Sequence, residues 1–180
     1  LGTGLDEYLI LEVSGGLAQA QADWLKAKLS SDVFGKVKWI KQLPQQLQGI
    51  VLGNEVLDAM PVRRFRKKAH QDYEEAWVQG PVEALQWVWQ PAPSQLSQKL
   101  AQLEAQFGPW PIGFTSEIHE QMQAWVRTIT ERLDGVALQI DYGYHAEDYY
   151  SPQRSAGTLR ATRAHIAHDD FLGHPGQQDL

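Results

Sequence analysis

The stretch Gly49-Ile-Val-Leu-Gly-Asn-Glu-Val-Leu-Asp-Ala-Met-Pro-Val-Arg-Arg-Phe65 (GIVLGNEVLDAMPVRRF) runs a hydrophobic strand straight into acid. Ile50, Val51 and Leu52 form an apolar run of the kind buried in a sheet, and Asn54, Glu55 and Asp58 follow at once. In open α/β sheets, ligands bind beyond the carboxyl ends of the strands. Polar groups placed at such an end therefore mark a candidate cleft.

Upstream of that stretch, residues 8–13 read as a strand, broken by Gly15-Gly16. Leu17, Gln21, Trp24, Leu25, Lys28 and Leu29 fall on one helical face, which predicts an amphipathic helix over about 16–29. Val37–Ile40 reads as a second strand, with Pro44 and Gly49 punctuating the loop after it. The order strand, helix, strand, loop, strand predicts an α/β fold with a parallel sheet covered by helices.

Downstream, charged and apolar residues alternate from Val62 to Gln79, and Leu85-Gln-Trp-Val-Trp-Gln90 alternates as well. Residues 62–90 are expected to form antiparallel strands inserted into the α/β unit. Leu96, Leu100, Leu103 and Phe107 predict a helix. Ile118, Met122, Trp125, Val126, Ile129 and Leu133 predict another, with Ser116 as its N-cap. Asp134-Gly135 reads as a turn and Val136–Ile140 as a further strand, ending in Asp141-Tyr142-Gly143.

A chain of 180 residues with 43% apolar content suits one domain with a core. A net charge of -6 argues against a binder of nucleic-acid backbone. The short basic run Arg63-Arg64-Phe65-Arg66-Lys67-Lys68 reads as the solvated face of a strand. The absence of cysteine removes disulfides, thiolate zinc sites and a cysteine nucleophile. No run of 18 apolar residues predicts a membrane span, and no targeting segment is visible, so a bacterial cytoplasmic setting is expected, or a mitochondrial one for a eukaryotic source. Leu1-Gly-Thr-Gly4 precedes a strand rather than following one, so its G-x-G is read as linker instead of a phosphate-cradling turn.

Three predicted strand ends carry acids: Glu12, Asn54-Glu55 and Asp141. An acid ending the second strand of a nucleotide-type unit often accepts from both ribose hydroxyls, which fits Glu12 if one more strand precedes residue 1; a solvent-exposed loop acid is the alternative. Glu55 and Asp58, three apart, share a face if Val56 begins a helical turn. Such a pair suits a guanidinium or ammonium, a divalent metal, or capping of the turn itself. His165, His168, Asp169, Asp170 and His174 read as an exposed polar loop rather than a metal site. No nucleophile elbow, phosphate-binding loop or zinc-protease motif is present.

The segments LILEVSGGLAQAQ, GIVLGNEVLDAMPVRRF, GFTSEI, VALQIDYGY, YYSPQRSAGTLRATRAHIAHDD and HPGQQDL together resemble the MidA-type S-adenosylmethionine-dependent methyltransferases. That family includes the mitochondrial factor that methylates an arginine of a complex I subunit during assembly. The resemblance implies a Rossmann-like class I methyltransferase fold with an inserted antiparallel β plus helical subdomain on the substrate side. Residues 1–61 and 116–180 would form the core and residues 62–115 the insertion. It implies S-adenosylmethionine as cofactor and a protein substrate, arginine above all, with a respiratory-complex subunit as the candidate.

By the same analogy, Glu12, Asn54, Asp141, Tyr142 and Gly143 line the cofactor cleft, and Glu55 and Asp58 balance the charge of the acceptor. Thr158, Arg160 and His165 match the family's C-terminal motif without an assigned role. The family's glycine-rich first motif would precede residue 1, so this chain is expected to be a truncated sheet, inactive by itself and with weak or no cofactor binding. The strand missing between residues 8–13 and 50–53 would leave edges that pair directly or recruit a second copy. A competing reading is a non-enzymatic docking module gripping a partner protein through Trp77, Trp87, Trp89 and Trp110, residues that could equally be core.

Overall fold

The computed structural model describes residues 4–180. The G-x-G linker assignment falls largely on residues 1–3, outside the described residues. The chain divides into two compact units, Leu1–Gln48 with Arg132–Gly135, and Gly49–Glu131 with Val136–Leu180.

In the first unit, strand β1 (Tyr8–Leu11) leads into helix α1 (Gly15–Lys28), a short helix α2 (Ser31–Phe34) and strand β2 (Val37–Ile40). The two strands pair in parallel, Tyr8 opposite Val37 through Leu11 opposite Ile40, as the strand–helix–strand order predicts. Ser14 caps α1, its hydroxyl accepting the Leu17 N–H at 3.3 Å. The helix forms where the periodicity predicts it, but the expected apolar face is not buried: no residue of α1 is buried, and Leu17 and Trp24 are exposed.

The second unit holds the core. Strand β3 (Leu47–Asn54) is followed by β4 (Arg63–Ala69), β5 (Asp72–Gln79) and β6 (Gln86–Pro91), helix α3 (Ser94–Phe107), strand β7 (Thr115–Ile118), helix α4 (Glu120–Arg132) and strand β8 (Leu133–Ile140). A short helix α5 (Ala146–Tyr149) and the hairpin β9 (Ala161–Arg163) and β10 (Ile166–His168) complete the chain.

The alternating segment forms a four-stranded antiparallel sheet in the order β6-β5-β4-β7. Period-2 alternation puts Phe65 of β4 inward, where it joins Tyr73, Leu96, Leu100, Trp110, Phe114 and Ile118. Trp110 stacks on Phe114 with centroids 4.7 Å apart and planes 7° from parallel. Lys67 follows Phe65 inward. Its ammonium is satisfied by Glu104 and by the Trp110 carbonyl at 2.8 Å, and Glu104 also accepts the Tyr73 hydroxyl at 2.6 Å. Burial raises the Glu104 carboxyl, but its Lys67 and Tyr73 partners outweigh that and hold it below the usual range.

Three local readings change. The residues around Ser116 form strand β7 rather than a helix start, and α4 begins only at Glu120. Serine and glutamate before an apolar period look like a cap, but pairing with β4 overrides that local signal. Asp134-Gly135 lies inside β8. The basic run of β4 is paired rather than solvated: Arg63 with Glu75 and Glu120, Arg64 with Glu117, Arg66 and Lys68 with Glu74, and Lys67 with Glu104.

Of the two outcomes expected for the strands at 8–13 and 50–53, direct pairing is not seen among the described residues. Strand β3 takes β8 as its partner in a two-stranded sheet and β1 takes β2. Ile50, Leu52, Val136, Leu138 and Ile140 on β3 and β8 are exposed. Among the described residues, no helix is long and apolar enough to cross a membrane.

Candidate functional site

Strands β3 and β8 deliver acids to one place in the second unit. As β3 ends, Glu55 donates its N–H to the Ile140 carbonyl at 2.8 Å, tying the two strand ends together. Glu55 adopts φ 50°, the left-handed region where a side chain is strained. Such strain at the lip of a strand is characteristic of functional positions.

The chain then forms a turn, Met60 N–H bonding to the Leu57 carbonyl at 3.3 Å, instead of the helical turn that would set Glu55 and Asp58 on one face. Asp141 organises this turn from the end of β8. Its Oδ2 accepts the N–H groups of Leu57 at 2.9 Å and Asp58 at 3.3 Å, and its Oδ1 accepts Tyr142 N–H at 2.9 Å. Capping, one of the roles open for Glu55 and Asp58, is thus performed by Asp141, whose acceptor capacity is largely used by backbone.

Glu55 and Asp58 keep no cationic partner among the described residues. Asp58 Oδ1 is buried and accepts no hydrogen bond. The Tyr142 hydroxyl faces Asp58 without meeting hydrogen-bond geometry, and that carboxylate pushes the phenol up to about 12, with burial and the charges of Glu55 and Asp141 adding to it. Asn54 is exposed, as is Tyr142. At Gly143, an added Cβ would meet open space. No group of three or more histidine or acidic residues is arranged to hold a metal ion among the described residues.

Glu12 lies in the first unit, directly after β1. Its Oε1 accepts Ser14 N–H at 2.8 Å, while Oε2 has only a 3.5 Å contact from the Gln21 amide. Gln21 in turn accepts the Trp39 indole N–H at 2.9 Å. The carboxylate is thereby oriented with one oxygen nearly free, an arrangement that suits a vicinal diol.

A second acidic centre is one that reasoning from the sequence did not single out. Glu117 of β7 is 1% exposed. It stands cross-strand from Arg64, and the guanidinium lies 3.1 Å from Oε1. That contact is an ion pair by distance but lacks hydrogen-bond alignment, so both atoms stay without a directed partner. Oε2 accepts Thr158 N–H at 2.9 Å, the Thr158 hydroxyl at 3.3 Å and the Tyr149 hydroxyl at 3.4 Å. The Tyr150 hydroxyl donates to the Glu117 carbonyl at 3.2 Å. Burial pushes the Tyr149 phenol up, and burial with the Glu117 charge takes Tyr150 up to about 12.

His119 meets the Tyr149 hydroxyl at 2.9 Å, and burial lowers its imidazole despite the Glu117 charge. Gly157 passes so close to the Glu117 carboxylate that any Cβ would collide with it. The sequence signals for this centre are Glu117 within the GFTSEI segment and Tyr149, Tyr150 and Thr158 within the segment that begins YYSPQRSAGTLR.

The C-terminal motif residues acquire structural roles. Thr158 anchors to Glu117. Arg160 pairs with Asp169 at 2.5 Å. Ala164 and His165 turn the β9–β10 hairpin with φ 49° and 65°, the signs a two-residue primed turn demands. Asp170 Oδ1 accepts Gly173 N–H at 2.9 Å.

Comparison with known proteins bears on these sites. Two crystal structures from Burkholderia thailandensis match, each 37% identical to this chain over 97% of it. One, with a TM-score of 0.81, is described as a "likely methyl transferase" bound to S-adenosyl-homocysteine. The other, with a TM-score of 0.82, is the native structure of an uncharacterised protein of the same superfamily. This chain spans 44% and 46% of their lengths. No curated protein matches. A family model matches residues 4–180, and its cofactor is S-adenosylmethionine. The chain belongs to the family described as "Putative S-adenosyl-L-methionine-dependent methyltransferase".

Proposed function

We propose that the protein carrying this chain transfers a methyl group from S-adenosylmethionine to a protein side chain, with arginine as the acceptor. The observation that carries the reading is the lip at the ends of β3 and β8. There a strained Glu55, Asp58 with a buried unpartnered oxygen, and an exposed Tyr142 stand without a cation to match them. A carboxylate pair of this kind attracts a guanidinium, and a tyrosine face adds to the attraction.

S-adenosylmethionine, when bound, supplies an electrophilic methyl group on a sulfonium. The acceptor nitrogen forms the new C–N bond as the C–S bond breaks, S-adenosylhomocysteine leaves, and the nitrogen gives up a proton. Glu55 and Asp58 would hold the acceptor in line and balance its charge, and the released proton would pass to one of these carboxylates. In the first unit, Glu12 is the group fitted to ribose hydroxyls. In the second, Asn54, Tyr142 and Gly143 would line the cofactor side, with Asp141 fixing the turn that carries them.

The protein substrate has a candidate landing surface in the inserted hairpin, where Trp77, Val78 and Val82 are exposed. Of the other tryptophans weighed for docking, Trp110 is core and Trp89 lies beneath the Arg66 guanidinium. The membership of a respiratory complex suggested for that substrate rests on the sequence resemblance alone.

The test is methyl transfer by the longer protein to arginine-bearing peptides, read with labelled S-adenosylmethionine. Transfer to arginine is expected. Labelling confined to carboxylate, lysine or small-molecule acceptors would overturn the acceptor assignment.

A further inference from the structure

We propose that the loop at 151–157 binds a carboxylate carried on a peptide chain, with the Arg154 guanidinium and the Ala156 N–H as donors. The inference does not rest on the methyl-transfer reading.

Arg154 is half-buried and held from two sides. Its guanidinium lies 3.8 Å from the Tyr144 ring centroid, and its Nε–H donates to the Asp148 carbonyl at 3.2 Å. Among the described residues, its two terminal nitrogens have no hydrogen-bond or ion-pair partner. The other two arginines that cover rings, Arg64 over Phe171 and Arg66 over Trp89, are each paired with a carboxylate, Glu117 and Glu74. A guanidinium stacked on a ring keeps the edges of its planar fork for a ligand, and that fork matches a carboxylate.

The backbone of the same loop adds donors. The Ser155 carbonyl accepts the Thr115 N–H of β7 at 2.9 Å, and the Ala156 carbonyl accepts the Arg64 guanidinium at 3.1 Å. The peptide between Ser155 and Ala156 is trans, so its N–H points opposite to its carbonyl, away from β7. Among the described residues, the N–H groups of Gln153, Ser155 and Ala156 have no acceptor. Unpaired N–H groups in a turn make concavities that take anions. The Ser151 hydroxyl bonds the Gln153 amide oxygen, which leaves the amide NH2 as one more donor. The bonds from β7 and Arg64, with the Thr158 N–H on Glu117, fix this backbone before any ligand arrives.

These residues line one open cavity of about 420 Å³. That space far exceeds a carboxylate, so the group that fits it is carried on a larger body. Asp148 lines the cavity too, and it has no cationic partner among the described residues. One guanidinium and one acid leave little net charge. A singly charged carboxylate meets less repulsion there than a doubly charged phosphate.

The test is an NMR amide-shift titration of the full chain with a blocked Gly-Gly-Glu-Gly-Gly peptide, its glutamine counterpart, acetate and inorganic phosphate. The glutamate peptide is expected to shift the Ser155 and Ala156 amides with a millimolar Kd, more tightly than acetate or phosphate, and the glutamine peptide to leave them in place. Arg154→Gln should weaken binding by about tenfold or more, the worth of a charge-assisted pair. Arg154→Lys, which keeps the charge but loses the fork, should weaken it less, and Asp148→Asn should tighten it. Unmoved Phe65 and Leu100 amides in each variant show that the core is intact. Ser155 and Ala156 amides that respond to no probe overturn the site, as does parental affinity in Arg154→Gln. Tighter binding of phosphate overturns the carboxylate assignment, and tighter binding of acetate overturns the peptide source.

Discussion

Glu117 and Glu55 present the same carboxylate in one unit of one chain, and the fold treats them in opposite ways. Glu117 is sealed from water, faced by Arg64 and bonded by Thr158 and Tyr149. Glu55 stands exposed on a strained residue, and with Asp58 it has no cation of its own. A buried charge without partners is costly enough to neutralise itself, so Glu117 makes structural sense only as a clamp. An exposed acid such as Glu55 pays little desolvation and keeps its acceptor capacity free, which suits a ligand that arrives with a charge. Placement and partners, rather than residue type, separate the acid that holds the fold from the acids offered to a substrate.

The sharpest way to break that contrast is to remove each acid in turn. Glu117→Ala leaves Arg64 buried without a counter-charge and frees the 149–158 segment. Unfolding in urea should show a loss of about 3–5 kcal/mol, while Glu55→Ala should stay within about 0.5 kcal/mol of the parent. Equal losses would erase the distinction.

Next in size is the effect on chemistry. Glu55→Gln in the longer protein should lower turnover by about 10²–10³-fold, the usual cost of removing one transition-state charge contact, with S-adenosylmethionine affinity unchanged by calorimetry. Unaltered turnover would falsify the assignment of Glu55. Glu55→Gly should likewise lose transfer while relieving the left-handed backbone, so its thermal midpoint should not fall below that of Glu55→Gln.

Asp141→Ala tests the clamp at the lip. Losing an acceptor for two turn N–H groups should cost about 1 kcal/mol, as for a helix cap, and amide exchange at Leu57 and Asp58 should speed up. Exchange rates equal to the parent's would remove Asp141 from that role.

The smallest effect is a pH slope. The His119 imidazole is held below its ordinary 6.5 in the fold, so the unfolded chain takes up the proton first as pH falls. Stability should be level above 6.5 and decline below it, and His119→Gln should flatten that decline. Glu74, Glu104 and Glu120 are held below 4.5, so the stability they add is lost at lower pH than the decline set by His119. A slope that persists in His119→Gln would place the titration elsewhere.

Much of the lip was legible from residues alone. The apolar run Ile50-Val51-Leu52 does form a strand, though Ile50 and Leu52 are exposed where burial was expected, and the polar residues after it, Asn54, Glu55 and Asp58, lie where the strand stops. Asp141 after Val136–Ile140 follows the same logic. What the sequence could not reveal is that Asp141 spends its oxygens on the backbone of residues 57 and 58 while Glu55 and Asp58 keep theirs. That depends on which strand ends meet, and β3 and β8 are more than 80 residues apart, as the Leu57–Asp141 bond spans 84.

Local periodicity determined the sheet alternation of residues 62–90, the helix at Ser94–Phe107 and the strand–helix–strand order of the first unit, because each is set by neighbours within a turn or two of chain. Only tertiary structure decided that Ser116-Glu117 would join a strand, that Arg64 would oppose Glu117, and that Thr158 and Gly157 would close over it. Those outcomes depend on backbone ladders and charge partners brought together from distant parts of the chain, and a contact between residues 41 positions apart, such as Thr158 with Glu117, leaves no periodic trace in the letters themselves.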